Sequence, residues 1–424
     1  MLSRHMLFPA TALLTLARIP AATQAEVYRS VEVRGARLIP REDIAATCGP
    51  LTGVDLDPAD LAMVEDCLMY TGVFDAVAVD GRDGVLLIEV TETESRPGRI
   101  EAGLAYASDL GLSATLDYEQ FNLVPGTYLS IRNRYREDAK SYEVVLRNQP
   151  AEAEALQFGI ELAGQRTALD DRNYSTRIDQ LEVFFGKDFD AGLGARFGLG
   201  YRDQRLFDLK PAASAQLAAE EASVHAPFLH AVVKYRDDIG TGFSYHAALD
   251  SYLWNLGTDA RFLDLRLEAR ARYALSDDLG LHLGLRAGTV RGLDDQAPRL
   301  MDRGFLGGDS FRGFAPRGLG PVSGGDHLGG DHYLMTSIEV QRSLGTLAGT
   351  DLNGGVFVDA GSVWSLRNDA TGLIDADNHL RVSLGISLNM TLGTVPVQAY
   401  LAKPVQSRLG DDEQVFGLSI AARF

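Results

Sequence analysis

The chain has 424 residues, 44 of them glycine, and a formal net charge of −18 at neutral pH. A negative balance of this size argues against nucleic acid as a partner, because phosphate groups repel an acidic surface. After the N-terminal region no run of about 18 uninterrupted apolar residues occurs, so we expect no helical membrane span.

Residues 1–25 have the pattern of a secretory signal peptide. Arg4 precedes an apolar run from Met6 to Ala17, and Thr23-Gln24-Ala25 supplies small residues at the expected cleavage site. Arg18 interrupts the apolar region, so a cytoplasmic amphipathic N-terminus is the alternative. Cleavage would remove two arginines and no acid, which would take the net charge from −18 to −20.

The segment 26–93 predicts a small α/β domain in the order strand, helix, helix, strand, strand. Residues 27–33 alternate apolar and polar side chains, as a half-buried strand does. Pro40 and Asp57-Pro58 are helix-start signals. The second helix carries an apolar stripe, which consists of Leu61, Val64, Leu68 and Met69. Gly72 ends this helix, and a hairpin turning at Gly81-Arg82-Asp83 follows.

Both cysteines of the chain, Cys48 and Cys67, lie in this domain. Their number and an exported setting permit one disulfide. Cys48 ends the first predicted helix, and Cys67 lies on the buried side of the second. We therefore expect the bond to join the two helices.

From Arg96 onward the apolar residues recur at every second position. In the run 262–274, leucine, alanine and tyrosine point one way, and five charged residues point the other way: Asp264, Arg266, Glu268, Arg270 and Arg272. A central strand of a soluble sandwich rarely carries five successive charges on one face, whereas a strand lining a water-filled lumen does. The runs 127–136 and 156–162 repeat the pattern.

Sixteen such runs occur between residues 99 and 424, each occupying about 20 residues with its turn. The even number allows the first run, 99–107, to pair with the last, 414–424, so that no sheet edge faces lipid. The sequence therefore predicts an all-β transmembrane barrel of 16 antiparallel strands over residues 96–424, preceded by one small α/β domain.

A Gly- and Pro-rich loop over residues 293–331 interrupts the strands. Within it, Arg312 lies between Phe311 and the pair Gly313-Phe314. A charge held inside a barrel is expected to be paired, and Glu339 and Asp359 lie on the inward faces of the next two predicted strands. The alternative is a solvated loop arginine.

A loop with Arg312, followed by one strand with Glu339 and a second with Asp359, resembles the arrangement in the BamA/TamA superfamily of outer-membrane assembly factors and exporters. In that family an Arg-Gly-Phe/Tyr loop tip folds into the barrel lumen, where acidic residues on the two following strands hold it. The matching positions here are Arg312, Gly313, Phe314, Glu339 and Asp359. Phe424 matches the aromatic residue at the family's C-terminus.

The resemblance also implies that segment 26–93, with Tyr70-Thr71-Gly72-Val73-Phe74 before its second strand, is a POTRA domain in the periplasm. Small αββ folds of other families share this pattern. In a POTRA domain an exposed edge strand adds a strand from a client or partner. The alternative is a domain that only braces the mouth of the barrel.

The implied function is insertion or export of client proteins at the Gram-negative outer membrane, without catalysis and without a cofactor. The seam between the first and last strands would open laterally. Gly103, Ala105 and Gly417 offer few large cross-strand contacts there, and Phe424 ends the last strand. The expected partners are outer-membrane or secreted clients, outer-membrane lipid and a periplasm-spanning protein, with no nucleic acid.

Two alternatives remain open within transport. One is a two-partner secretion exporter, although that subfamily carries two POTRA domains and a plug helix. The other is a passive porin or an adhesion barrel, which would conduct ions steadily and contact no client.

Two motifs in the long loop suggest other chemistry. Gly308-Asp309-Ser310 resembles the nucleophile motif of some esterases, but no Ser/His/Asp arrangement accompanies it. The tandem 324–327 and 329–332, Gly-Gly-Asp-His in both copies, would suit a divalent metal, but a loop end entering a strand is favoured. We therefore expect neither an enzyme nor a metal site.

Overall fold

The structure is a computed structural model. It describes residues 26–37, 39–71, 73–82, 84–93, 98–121, 123–124, 126–149, 155–168, 172–189, 192–220, 222–239, 242–276, 278–293, 296–347, 350–369, 372–392 and 395–423. The predicted signal peptide, Gly72, Asp83 and Phe424 lie outside the described residues. The chain divides into two compact units, Met1–Gly35 with Glu42–Thr91 and Ala36–Arg41 with Glu92–Phe424.

The first unit is a small α/β domain. Its elements in chain order are β1 (Glu26–Val27), β2 (Ser30–Arg34), α1 (Arg41–Thr47), β3 (Asp55–Leu56), α2 (Pro58–Tyr70), β4 (Phe74–Arg82) and β5 (Val85–Glu92). The sheet has the order β2-β5-β4, with β2 parallel to β5. The predicted first strand is divided, because Glu26–Val27 pairs with β3 instead of joining the sheet.

Helix α2 begins with strong local signals. The Asp57 side chain accepts hydrogen bonds from the backbone N–H groups of Ala59 (2.7 Å) and Asp60 (2.9 Å), and the Asp57 N–H donates to the Asp60 carboxylate at 2.8 Å. Val64 and Leu68, one turn apart, are buried. The prediction that Met69 belongs to the buried stripe is wrong: Met69 lies about 100° around the helix from Leu68 and is exposed.

The described residues of the second unit form a closed barrel of sixteen antiparallel strands, which confirms the predicted fold. The strands in barrel order are β6 (Arg99–Ala107), β7 (Gly111–Phe121), β8 (Thr127–Arg136), β9 (Ala139–Asn148), β10 (Gln157–Thr167), β11 (Ser175–Asp188), β12 (Leu193–Phe207), β13 (Ala222–Ile239), β14 (Phe243–Trp254), β15 (Phe262–Ser276), β16 (Leu279–Gly292), β20 (His332–Leu347), β21 (Thr350–Trp364), β22 (Arg381–Leu392), β23 (Val395–Gln406) and β25 (Phe416–Arg423).

Because the strands alternate in direction, their connections alternate between two ends of the barrel. The end where β6 finishes carries the connections 208–221, 293–331, 365–380 and 407–415, and we call it the loop end. These connections contain short elements: α3 (Ala215–Ala218), β17 (Gly313–Phe314), β18 (Val322–Ser323), β19 (Asp326–His327) and β24 (Glu413–Gln414). Among the described helices, none has the length and apolar character needed to cross a bilayer.

The closing strand differs from the prediction at one end. The alternating pattern continues through Gln414, but β25 begins at Phe416. Gln414 instead pairs with Gly313 in the short ladder between β24 and β17. Periodicity alone cannot locate this break, because both partners impose the same alternation on the segment.

A disulfide joins Cys48 and Cys67, with the two Cα atoms 6.1 Å apart. We predict that Cys48→Ser, Cys67→Ser or both changes lower the free energy of unfolding of the first unit by about 3 kcal/mol, because a loop of this length regains its entropy in the unfolded chain. Pulse proteolysis of the whole protein in urea measures this change. A reductant should lower the urea midpoint of the wild type to that of the variants and leave the midpoints of the variants unchanged. Equal urea midpoints for wild type and variants without reductant would contradict the prediction.

Candidate functional site

The loop tip places Arg312 inside the barrel between two carboxylates. Its Nε and Nη2 atoms donate to the two oxygens of Asp359, each at 2.9 Å, and its Nη1 atom donates to Glu339 at 2.5 Å. The backbone N–H of Arg312 also donates to Asp359 at 3.2 Å. The planar guanidinium therefore makes a bidentate pair with one carboxylate and a single bond with the other.

Neighbouring side chains complete this arrangement, which we call the arginine lock. Ser337 donates to Asp359 at 2.6 Å, and Ser387 donates to Glu339 at 2.5 Å. The Arg312 guanidinium lies 3.3 Å from the centre of the Phe357 ring. The Asp359 side chain is only 1% exposed, so its charge depends on these donors rather than on water.

Apolar packing fixes the rest of the loop tip. Phe311 and Phe314 are fully buried, and their ring centres are 5.0 Å apart. They belong to a cluster whose other buried members are Leu306, Leu319, Met335 and Val363. Gly313 has φ +97°, and a Cβ there would come within 2.9 Å of the Ser383 Cβ. Glycine is required at this position for both reasons.

The loop tip is also hydrogen-bonded to the last strands. Ser383 on β22 donates to the Arg312 carbonyl at 2.5 Å, and the Ala315 N–H donates to the Asp412 carbonyl at 2.8 Å. With the β17–β24 ladder, these bonds connect the arginine lock to the segment that leads directly into the closing strand β25.

The seam between β25 and β6 is short. The register joins Ser419–Arg423 to Gly103–Ala107, whereas β6 pairs with β7 along its full length. Gly103 and Ala105 lie in the paired part. Gly417 lies beside Tyr400, and a Cβ there would come within 2.1 Å of that ring, so this glycine makes room for an aromatic side chain.

A second buried arginine was missed by the sequence reasoning. Arg303 is fully buried and donates to Glu220 at 2.8 Å, to the Asn368 side chain at 2.6 Å and to the Leu328 carbonyl at 3.0 Å. Glu220 also accepts from the Leu300 N–H at 2.5 Å. The Arg303 site thus joins three loop-end connections. Arg303-Gly304-Phe305 repeats the Arg-Gly-Phe motif nine positions earlier, and this repeat is the signal that could have revealed it.

Further contacts bind the loop-end connections into one cap. Its buried apolar cluster contains Tyr174, Leu206, Leu217, Leu300, Leu328 and Leu366. Buried ion pairs join Arg202 to Asp302 at 3.2 Å and Arg381 to Asp411 at 2.9 Å. Burial lowers the pKa of His327, so its 2.9 Å contact with Asp412 is a hydrogen bond of a neutral ring near neutral pH.

The motifs that suggested other chemistry are occupied by protein contacts. The Ser310 hydroxyl donates to the Gly307 carbonyl at 2.7 Å and thereby closes a local turn. In the Gly-Gly-Asp-His tandem, Asp326 accepts from Asn173 and from the Ser214 N–H, each at 2.7 Å, and Asp331 accepts from the Ser365 hydroxyl at 3.3 Å. The carboxylates of both copies are thus held by protein donors.

One other group of side chains has the spacing of metal ligands. The ligand atoms of Asp375, Asp377 and His379 lie within 4.8 Å of one another on an exposed connection. The Arg408 guanidinium bonds both Asp375 (3.3 Å) and His379 (3.0 Å). A cation already satisfies this group, so the arrangement gives no argument for a metal.

Barrel, arginine lock and loop cap together define an outer-membrane β-barrel with an internally anchored loop. The model of the Omp85 superfamily domain matches residues 125–424, and the chain belongs to the Omp85 superfamily. This agrees with the family resemblance found in the sequence. The protein is accordingly located in the outer membrane, in a superfamily that serves outer-membrane protein assembly or translocation.

Solved structures share the fold at low sequence identity. BamA from Haemophilus ducreyi lacking POTRA domains 1–3 has a TM-score of 0.71 at 18% identity, covering 94% of this chain and 85% of that one. CdiB from Escherichia coli has a TM-score of 0.56 at 12% identity (95% and 77% covered), and CdiB from Acinetobacter baumannii 0.53 at 14% (95% and 74%). No curated protein sequence matches the chain significantly.

We predict that Arg312→Ala frees the loop tip, because it leaves Asp359 and Glu339 without their cation. Losing one partner of a buried pair costs about 3 to 5 kcal/mol. Limited proteolysis of the folded barrel should then cut within residues 293–331, and Asp359→Ala should behave similarly. Arg342→Ala, which removes an exposed pair with Asp278, is the matched control and should leave the loop protected. Wild-type protection of Arg312→Ala would refute the structural role of the lock.

We also predict that Arg303→Met loosens the cap, because Glu220 would remain buried without a cation. Planar-bilayer recordings should show a higher and noisier conductance than for wild type. Adding Glu220→Gln should bring the conductance and its noise part of the way back to wild type, since a neutral amide tolerates burial better than a charge. Arg408→Ala, which removes an exposed contact, should leave the conductance unchanged. Identical recordings for Arg303→Met and wild type would exclude this role.

Proposed function

We propose that this protein inserts or exports client polypeptides at the outer membrane, and that the seam between β6 and β25 is where a client engages. The observation that carries this proposal is the short register of that seam. It joins five residues of each strand, so few backbone hydrogen bonds hold β6 and β25 together. An incoming client strand could replace β25 along this edge of β6 by β-augmentation.

The seam is also poor in large side-chain contacts. Its paired residues include Gly103, Ala105, Ala421 and Ala422. Small side chains contribute little cross-strand packing, so backbone hydrogen bonds supply most of its stability. Such a join exchanges its partner at low cost, because a client strand offers the same backbone bonds without requiring particular side chains.

In this proposal, the arginine lock holds the loop tip in place and thereby limits the movement of β25. Arg312 is anchored on β20 and β21, while the adjoining β17 pairs with β24, two residues before β25. Release of the loop tip would therefore also release the start of β25. We infer that the lock sets how far the seam opens rather than binding the client itself.

We further propose that the first unit is a POTRA domain in the periplasm, reached through a signal peptide in residues 1–25. Its sheet leaves β2 and β4 at the two edges, each able to add a strand from a client or a periplasm-spanning partner. The proposed activity is non-catalytic and needs no cofactor, since the binding energy comes from strand pairing.

Export through the lumen is the second candidate. The observation that favours it is a cavity of about 740 Å³ within the barrel, beside the arginine lock. A chain following this path would not need the seam to open. The two candidates therefore give opposite results when the seam is closed covalently.

We predict that a disulfide between Ala105→Cys and Ala421→Cys blocks client insertion until it is reduced. These positions are direct cross-strand neighbours, at the separation a disulfide requires. Ala247→Cys with Ala269→Cys, neighbours across β14 and β15, is the matched control and should leave insertion intact. The measurement is client assembly in liposomes, with the crosslink verified on non-reducing gels. Full activity of the crosslinked seam would exclude lateral opening and favour lumen export or a passive barrel.

A further inference from the structure

One wall of the barrel lumen is strongly basic although the chain as a whole is acidic. Six cationic or titratable side chains from four successive strands, β13 to β16, line the cavity beside the arginine lock: Arg236, His246, Arg270, Arg272, His282 and Arg286. We call this surface the basic wall. Its strands lie opposite the β25–β6 seam in the barrel order.

The strand register places these side chains directly beside one another. His246 is the cross-strand neighbour of both Arg236 and Arg270, and Arg272 is the neighbour of His282. The basic wall therefore presents four guanidinium groups and two imidazole rings on one continuous surface of the cavity.

Few acids in the cavity balance these charges. Glu268 contacts both Arg270 and, at 3.6 Å, Arg286. Among the described residues, no carboxylate lies within ion-pair distance of Arg272. Glu339 and Asp359 also line the cavity, but both hold Arg312. Asp309 is the further acid in the lining and forms no ion pair with Arg270, Arg272 or Arg286, so the guanidinium of Arg272 can bind a carboxylate of a ligand.

The opposite side of the same cavity is neutral and polar. Gln341, Ser387, Asn389 and Gln398 present amide and hydroxyl groups there. Such groups donate and accept hydrogen bonds but carry no charge. A ligand between the two walls would thus meet cations on one side and backbone-like partners on the other.

From this arrangement we infer that the basic wall binds an extended acidic polypeptide segment, with carboxylates facing the arginines and its main chain facing the neutral wall. Arg270 and Arg272 lie two residues apart on one face of β15. This spacing, about 6.6 Å, matches alternate side chains of an extended peptide. Arginine also binds carboxylates in a bidentate manner. A cavity of about 740 Å³ is within the usual size of ligand sites.

The inference rests on the proposed function, because it takes a polypeptide as the cargo. An isolated anion would need one arginine rather than a row. A lipid would have to bring its acyl chains into a polar lumen, which the hydrophobic effect opposes. The spacing of the row therefore favours a peptide over both.

The test is fluorescence anisotropy of a labelled eight-residue peptide that alternates Asp and Thr, added to the whole protein in detergent micelles. Wild type should bind it, and the Arg270→Gln/Arg272→Gln double variant should bind at least tenfold more weakly. A peptide alternating Asn and Thr should not bind. Arg132→Gln on β8, whose arginine pairs with Asp117 and Glu143, is the matched control and should keep wild-type affinity. Heat-modified gel mobility verifies that each variant is folded.

Three results would overturn the inference: equal binding of the acidic and neutral peptides, unchanged affinity of the double variant, or displacement by inorganic phosphate at constant ionic strength. No client is inserted in this assay, so its outcome is independent of the seam crosslink. If the peptide does not bind while the seam crosslink blocks client insertion, only the role of the basic wall is refuted. If the peptide binds while the crosslink leaves insertion unchanged, lateral opening is refuted and the role of the basic wall stands.

Discussion

The sharing of one guanidinium between Asp359 and Glu339 is the interaction on which the loop end depends. Two carboxylates lie close together where water has little access, and a cation between them stabilises that arrangement. This cation comes from a loop of 39 residues, 293–331, which would otherwise pay a large entropic cost for entering the barrel. Packing of Phe311 and Phe314 and the left-handed backbone at Gly313 then fix where the rest of the loop lies.

Much of this could be predicted, because strand alternation and the need to pair a buried charge are both visible in the sequence. The sixteen strands followed from the period of two, and Arg312 could be assigned its two partners because both lie on inward faces of regular strands. Arg303 could not, since its partners Glu220 and Asn368 lie on connections without periodicity. The break before β25 was hidden for a related reason: the β17–β24 ladder imposes the same alternation as the barrel.

Stability is distributed unevenly around the barrel. The loop end is held by buried ion pairs and a shared apolar cluster, whereas the seam is held by short backbone pairing between small residues. Opening free energies within one protein span a wide range, and the least stable units are those able to move. In the function proposed above, a rigid cap and a weak seam would direct opening toward the membrane rather than toward the loop end.

The charged side chains of the lumen are also distributed unevenly, because the basic wall lies on one side of the barrel. It occupies β13 to β16, on the side of the barrel away from the seam, and the arginine lock on β20 and β21 comes next in the strand order. An acidic segment held at the wall would leave β22 and β23, whose cavity-lining residues Ser387, Asn389 and Gln398 are uncharged, between itself and β25. Its uncharged flanking residues could then reach the seam without giving up the charged contacts. Electrostatic holding and strand exchange would thus act on different parts of one client.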